Sequence, residues 1–193
     1  IIDGLAKQDL ELLKKNKKGV VKLSEEIDEL RDHIFYFIKN LDEASVGASN
    51  LYINILGYLQ DMAQSLEYLN KISHKHIHNN HKKLKYNQIK ELKEIDLELQ
   101  KLLSATKAAF ETRSFERIGV IFASKQELLD MVSQKIEKQI ARTRTEESSP
   151  KNTTLYFTFL LETKDFINAT MNLLELYYNE HDSTVIPAKL EMQ

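Results

Sequence analysis

The chain has 193 residues, of which 42% are hydrophobic and 29% charged, and its formal net charge is −2. This charge gives no long-range attraction to nucleic acid, so we expect no nucleic-acid partner. The absence of cysteine excludes disulfides and thiolate metal sites, and no stretch approaches the roughly 18 consecutive apolar residues of a membrane span. Because the sequence begins in the middle of a hydrophobic pattern at Ile1, we expect it to be part of a longer protein.

Apolar residues that recur every three or four positions predict the first two helices. Asp9 is a suitable N-cap for the first helix, whose apolar stripe extends over residues 20–41. Residues 45–49 are predicted to form a turn, and the second helix should end near residues 79–80, because Asn tolerates a left-handed backbone. The residues expected in the core are Val20, Leu23, Ile27, Leu30, Ile34, Phe37 and Leu41, then Ile55, Leu59, Met62, Leu66 and Leu69.

Three more helices are predicted downstream. The third ends near Thr112, the fourth begins with Ser114 as its cap, and the fifth begins at about Thr153 after a loop at residues 146–151. Residues 182–193 have no period and are expected to form a flexible C-terminal tail. The expected core residues are Leu92, Ile95, Leu99, Leu102 and Ala109, then Ile118, Phe122, Leu129, Val132, Ile136 and Ile140, and finally Phe159, Phe166, Leu173 and Tyr177.

Five long helices joined by short connections predict an all-α, antiparallel helical bundle. A continuous parallel coiled coil is the alternative, but Gly47, residues 79–80 and Pro150 interrupt the pattern at hairpin spacing. With only five Gly and two Pro in the chain, few other positions would break a helix. The bundle is therefore the predicted fold.

An eleven-residue pattern occurs twice, at residues 51–61 and 155–165. Leu, Tyr, Leu and Asp are identical at four aligned positions, and both copies lie near the start of a predicted long helix. A repeat separated by about a hundred residues indicates duplication of a supersecondary unit. We therefore divide the predicted domain, residues 1–181, into a first half of about residues 1–84 and a second half of about residues 85–181.

Residues 58–66, 73–82 and 161–174 resemble the PhoU-like domain that is attached to bacterial sodium/phosphate cotransporters. The resemblance covers roughly residues 9–181 and implies two related three-helix units, of which about five long helices are visible here. It also implies a location at the cytoplasmic face of the bacterial inner membrane, as part of a longer membrane protein. Such a domain regulates phosphate uptake rather than catalysing a reaction.

The resemblance also implies a metal motif, in which an acidic residue precedes an Asp by four positions. One helical turn places these two carboxylates on the same face, where they can share a hard cation. Asp61 and Asp165 match the final Asp, but Gly57 and Leu161 stand four positions earlier. Only residues 28–32 have the literal spacing, on a charged surface. The motif is therefore broken, and we predict no metal there.

Histidine gives the strongest chemical signal in the sequence. His74, His78 and His81 are spaced to share a helical face and could hold Zn²⁺ or Ni²⁺. Against this, no carboxylate lies within the cluster, residues 79–80 should break the helix, and neighbouring lysines repel a cation. We predict no stoichiometric metal, and the remaining interpretations are contact with an anion or headgroup, or a helix end that complements the helix dipole.

No catalytic pattern stands out. None of the six His residues has a Glu three positions before it, as di-iron bundles require, and there is no Gly-x-Ser-x-Gly or Gly-rich phosphate loop. The lysines at residues 14–22 are followed by acidic residues at 25–32, which predicts a solvated face, with contact to an anionic membrane as the alternative. We predict a protein that is not an enzyme and has no cofactor.

Two functions are considered first, and a plain structural bundle used for assembly is a third. The first is a regulatory domain of a sodium-dependent phosphate transporter, which contacts the membrane portion of its own chain or a second copy as a homodimer. The second is a free-standing PhoU-type signalling adaptor that binds a transporter or sensor kinase in trans. In either case, Val20, Leu23 and Ile27 should be incompletely covered, because one helix of the expected six is missing beside them.

Overall fold

The structure is a computed structural model that describes residues 1–42 and 46–180, without the side chain of Ala48. Within these ranges the chain forms seven α-helices and no β-strand, which confirms the all-α bundle. No helix there is both long and apolar enough to cross a membrane. The predicted tail and part of the predicted first turn lie outside the described residues. The helices are α1 (Ile2–Lys7), α2 (Leu10–Lys39), α3 (Val46–His78), α4 (Tyr86–Glu111), α5 (Phe115–Ala123), α6 (Lys125–Arg144) and α7 (Pro150–Asn179).

Several predicted helix ends are confirmed. The Asp9 carboxylate accepts a hydrogen bond of 2.9 Å from the Leu12 amide and caps α2. After α3, Asn80 has a φ of 55°, which is the left-handed conformation expected of an Asn at a helix end. Helix α7 begins a few residues earlier than predicted, with the Ser149 hydroxyl as its cap and Pro150 as its first residue.

Other boundary predictions are wrong. Helix α3 already begins at Val46, so Gly47 belongs to the helix rather than to a turn. The predicted fourth helix is two helices, because the chain breaks at Ser124, whose hydroxyl donates to the Ile121 carbonyl at 2.6 Å. Ser hydroxyls compete in this way for backbone carbonyls and favour helix ends. Ser114 does precede α5, but among the described residues its side chain makes no capping hydrogen bond.

Helix α3 is central, with α2 packed on one side and α7 on the other. Helices α5 and α6 pack against α7, α4 packs against α5 and α6, and the short α1 contacts α2, α3 and α4. Near the N-terminal end of α2, the Asn70 side chain donates to the Leu13 carbonyl at 3.1 Å. In the described part of the chain, α2 is therefore an edge helix that rests mainly on α3.

The buried side chains form two clusters. The larger one lies around α7 and includes Leu92, Ile118, Tyr156 and Leu160. The smaller one lies in the α2–α3 hairpin and is built from Ile27, Ile34, Leu56 and Ala63. Most predicted core residues are buried or half-buried, but Leu23, Phe37 and Ile140 are 36%, 42% and 47% exposed.

The prediction for Ile140 failed because the break at Ser124 rotates the buried face of α6 relative to the buried face of α5. The stripe that begins in α5 with Ile118 does not continue at constant spacing into α6. Helix α6 instead buries Leu128, Val132, Lys135 and Gln139, two of which are polar. These two polar residues belong to the candidate functional site.

The repeated segments occupy equivalent faces of α3 and α7. Leu56 and Leu160 are both buried, whereas Asp61 and Asp165 are both exposed. Tyr156 is fully buried, and its counterpart Tyr52 is half-buried. A duplication requires that aligned residues of the two copies are buried or exposed alike, as these Leu and Asp pairs are. The division into two related three-helix units stays a prediction.

Candidate functional site

The histidines at the end of α3 do not form the predicted group of three. The rings of His74 and His78 stack with their centroids 5.8 Å apart, but α3 ends at His78, and His81 lies beyond that end. His81 instead lies beside His76, with ring centroids 5.2 Å apart and its backbone N–H bonded to the His76 carbonyl at 3.2 Å. The helix break predicted at residues 79–80 therefore separates His81 from the face that carries His74 and His78.

His76 is the buried member of this cluster. Its Nε2 lies 2.9 Å from the Lys82 carbonyl oxygen, and because a carbonyl can only accept, Nε2 carries the proton. Burial lowers the pKa of His76, the hydrogen bond to Lys82 opposes that change, and the nearby His81 reinforces it. The neutral His76 side chain therefore joins α3 to the loop that follows it through this hydrogen bond.

The acidic candidates are also dispersed. Asp61 and Asp165 are exposed on different helices. Asp28 and Asp32 are bridged by Arg31, at 3.0 and 3.2 Å, so their carboxylates are already ion-paired. Among the described residues, no group of three or more histidine or carboxylate side chains is placed to hold a metal ion.

A buried polar network joins α4, α6 and α7, and the sequence analysis missed it. The Glu91 carboxylate accepts from the Arg142 guanidinium through one oxygen and from the Tyr156 hydroxyl through the other. The Glu91 and Arg142 side chains are only 9% and 13% exposed. The Arg142 guanidinium also lies 5.7 Å from the centroid of the Tyr156 ring, within the range of a cation–π contact.

The environment of Tyr156 keeps its hydroxyl protonated. Burial is the main cause of its raised pKa, and the hydrogen bond to the negatively charged Glu91 acts in the same direction. Arg142 opposes this change but is outweighed. Tyr156 therefore serves as a hydrogen-bond donor to Glu91 and does not ionise under ordinary conditions.

Two glutamines extend the network towards the loop before α7. Gln139 accepts from the Arg142 guanidinium at 2.9 Å and from the Gln88 amide at 3.0 Å. The Gln88 amide also donates to the Ser148 hydroxyl at 3.2 Å, and its carbonyl oxygen caps α4 by accepting from the Lys85 amide. The start of α4, the end of α6 and the start of α7 are thus tied together by hydrogen bonds.

A second ion pair lies on the same two helices, about one turn from Glu91 along α4 and about two turns from Arg142 along α6. The ammonium group of Lys135, whose side chain is 7% exposed, lies 2.9 Å from the Glu94 carboxylate at the surface. This hydrogen bond is the main cause of the lowered pKa of Glu94. The buried stem and paired head of Lys135 explain how a lysine can occupy a core position.

An open cleft of about 410 Å³ lies over the network between α4 and α6. It carries groups of both signs, and both of its carboxylates are engaged by cations from α6. Its geometry is that of a polar junction between helices. The residues that line it are Asn87, Lys90, Glu91, Glu94, Lys138, Ala141 and Arg142.

The sequence did contain a signal for this network. Polar residues stand at positions where helical spacing calls for apolar ones, namely Gln88 and Glu91 before Leu92, and Lys135 and Gln139 after Val132. Buried polar groups at such positions require partners. The sequence does not show which of them are partners, because the partners lie 41 or 51 residues apart.

Apolar side chains are exposed where α2 ends and α3 begins. Phe35 and Tyr36 in the last turns of α2 are 51% and 73% exposed, and Val46 and Ile53 in α3 are 57% and 40% exposed. We call these four residues the hairpin tip. At the neighbouring edge of α2, Leu23 is partly uncovered as predicted, whereas Ile27 is buried in the hairpin core, so the prediction for Ile27 is wrong.

The chain matches no protein-family model, and it has no significant match among curated proteins or solved structures. The resemblance to PhoU-like domains therefore rests on the three segments quoted above.

Proposed function

We propose that this chain is a non-enzymatic regulatory domain of a sodium-dependent phosphate transporter, and that it acts by contacting the membrane portion of its own chain at the cytoplasmic face. The resemblance of residues 58–66, 73–82 and 161–174 to PhoU-like domains supports the link to phosphate transport. The bundle of long helices agrees with the fold that the resemblance implies.

The hairpin tip is the observation that carries the proposed mode of action. Exposed aromatic side chains are common anchors of protein interfaces, because they bury a large area at a low cost in side-chain entropy. Phe35 and Tyr36 lie at the end of a 30-residue helix. Helix α3 connects this end to the main core, so a contact at the tip is mechanically linked to the rest of the domain.

Regulation through such a contact requires a difference in binding between two states of the partner. A domain that binds one transporter conformation more tightly shifts the population towards it, and one that binds both equally shifts nothing. The proposed role is therefore to bias the transport cycle, while sodium coupling remains a property of the membrane portion.

The test uses the full-length parent protein in cells or vesicles, with phosphate uptake measured over a range of external phosphate concentrations. Deleting the domain, or introducing Phe35→Ser together with Tyr36→Ser, should change the amount or the phosphate dependence of uptake without changing the sodium-to-phosphate ratio. Tyr86→Ser is the matched control, since Tyr86 is 78% exposed at the start of α4, outside the hairpin tip.

Uptake that is unchanged by the deletion at every phosphate concentration would contradict the regulatory role. A deletion effect that the Phe35/Tyr36 variant does not reproduce would contradict the role of the hairpin tip alone. If the encoded protein carries no hydrophobic segments outside this domain, the free-standing adaptor that acts in trans becomes the better account.

A further inference from the structure

Helix α2 separates its charges by sign along its length. Residues 14–22, here called the basic half, contain five exposed lysines, and residues 25–32, the acidic half, contain five exposed carboxylates. The lysines are Lys14, Lys15, Lys17, Lys18 and Lys22, and the carboxylates are Glu25, Glu26, Asp28, Glu29 and Asp32. The acidic half contains one cation, Arg31, which is already paired with Asp28 and Asp32.

Ion pairs within the chain satisfy only some of these charges. Lys14 pairs with Glu11 at 2.7 Å, and Lys22 pairs with Glu26 across the boundary between the halves at 3.8 Å. Within the part of the chain that the structure describes, five charged residues of these two halves have no ion-pair partner. They are Lys15, Lys17 and Lys18 in the basic half, and Glu25 and Glu29 in the acidic half.

The same helix has an apolar stripe at its uncovered edge. Leu23, Leu30 and Phe37 follow one another at intervals of seven residues, so they lie almost in line along the helix. Leu23 is 36% exposed, Leu30 is half-buried, and Phe37 is 42% exposed although its ring meets the Tyr52 ring edge-on at 5.6 Å. Helix α3 thus covers one side of this stripe and leaves the other side open.

We propose that α2 packs antiparallel against α2 of a second copy of this chain, about a two-fold axis close to Leu23. The antiparallel direction places the basic half of each copy opposite the acidic half of the other, and two-fold symmetry makes this contact twice. A parallel arrangement would place like charges together, and a partner of uniform charge would be repelled by one of the halves. A second copy of the chain is therefore the partner whose charges complement both halves of α2.

In this arrangement the two copies of Leu23 meet at the axis, while Leu30 and Phe37 of each copy lie on the opposite side of the axis from those of the other copy. Two α2–α3 hairpins side by side give a four-helix arrangement, in which the two copies of Leu23 cover each other. Most of the attraction is between exposed charges, so we expect weak association that high salt reduces. This inference does not depend on the proposed transporter role.

Charge reversal provides the test. The variant Glu25→Lys/Glu29→Lys changes the net charge of the acidic half from −4 to 0, and the variant Lys15→Glu/Lys18→Glu reduces that of the basic half from +5 to +1. In equilibrium sedimentation at low salt, each variant alone should self-associate at least about tenfold more weakly than the unmodified chain. An equimolar mixture of the two should associate more tightly than either variant alone, because it retains one contact between an unmodified basic half and an unmodified acidic half. Lys101→Glu on α4 is the control and should leave self-association unchanged.

Cross-linking gives an independent readout, because the chain has no cysteine of its own. A Leu23→Cys chain should form a disulfide dimer on mild oxidation, since the axis brings the two copies of residue 23 together. A Lys15→Cys chain should form little, but it should cross-link to a His33→Cys chain, because residues 15 and 33 share a helical face and lie at similar distances on either side of Leu23.

Several results would overturn the proposal. They are a monomer at every concentration tested, self-association that both charge-reversal variants retain, and a mixture that stays monomeric. Efficient cross-linking of Lys15→Cys to itself would also overturn it, because that result indicates parallel helices.

Discussion

The Glu91–Arg142–Tyr156 network allows a quantitative prediction for Arg142→Met. This substitution keeps an unbranched side chain but leaves the Glu91 carboxylate, which is 9% exposed, without its cation. Removing one partner of a buried ion pair typically costs about 3–5 kcal/mol of unfolding free energy. Because the Tyr156 hydroxyl still donates to Glu91, we expect the lower end, about 3 kcal/mol.

The matched variants separate the contribution of the ion pair to the unfolding free energy from the contribution of side-chain packing. Glu91→Met alone should cost less, about 2–3 kcal/mol, because the Arg142 guanidinium keeps its hydrogen bond to Gln139. The double variant should cost about 1–2 kcal/mol rather than the sum, because an apolar pair of similar size leaves only the Tyr156 hydroxyl unpaired. Adding Tyr156→Phe should then return the protein to within about 1 kcal/mol of its original stability.

Urea unfolding followed by far-ultraviolet circular dichroism measures these differences, with the slope of the transition checked for constancy. In a thermal scan, the loss in Arg142→Met corresponds to a fall in Tm of about 6–12 °C for a chain of this size. Single substitutions whose costs add in the double variant would refute the reasoning, since additivity means that the two side chains do not interact.

Two further predictions concern single positions. Gly57→Ala should raise the free energy of unfolding by about 0.5–1 kcal/mol, because Ala is the better helix former and an added Cβ meets no atom within 4 Å. Gly119→Ala is the control and should give no such gain, because its Cβ would lie 3.1 Å from the Tyr178 ring. Equal gains for the two variants in urea unfolding would contradict this contrast. The lowered pKa of His76 means that the unfolded chain binds the extra proton more readily, so stability should fall as the pH drops from about 6.5 through the folded pKa. His76→Gln removes this titration, and a pH dependence of unfolding that is identical in the variant and the original chain would show that His76 does not contribute to it.

The fold was largely predictable because its signals are local. The apolar spacing, the cap at Asp9 and the left-handed Asn80 act over a few residues, and the structure places each of them as expected. The break at Ser124 was missed, because a single serine inside an apolar pattern does not by itself announce a helix end. That one break turned Ile140 outward and brought Gln139 into the interior.

The candidate site was far less predictable. The histidines near the end of α3 attracted attention by their number, yet the end of the helix at His78 separates His81 from the face that carries His74. The network around Glu91 escaped notice, because its members are ordinary residues that become partners only when α4, α6 and α7 come together.

The sequence by itself determined that this protein is helical, where several of its helices begin or end, and that α2 carries its positive and negative charges in separate halves. These properties depend on side-chain period, backbone preference and formal charge, which adjacent residues fix without help from the rest of the chain. The tertiary structure alone decided which polar residues are buried together, which histidines meet and which edge of α2 stays uncovered. Those outcomes depend on contacts between residues far apart in the chain, whose geometry exists only after the helices have packed.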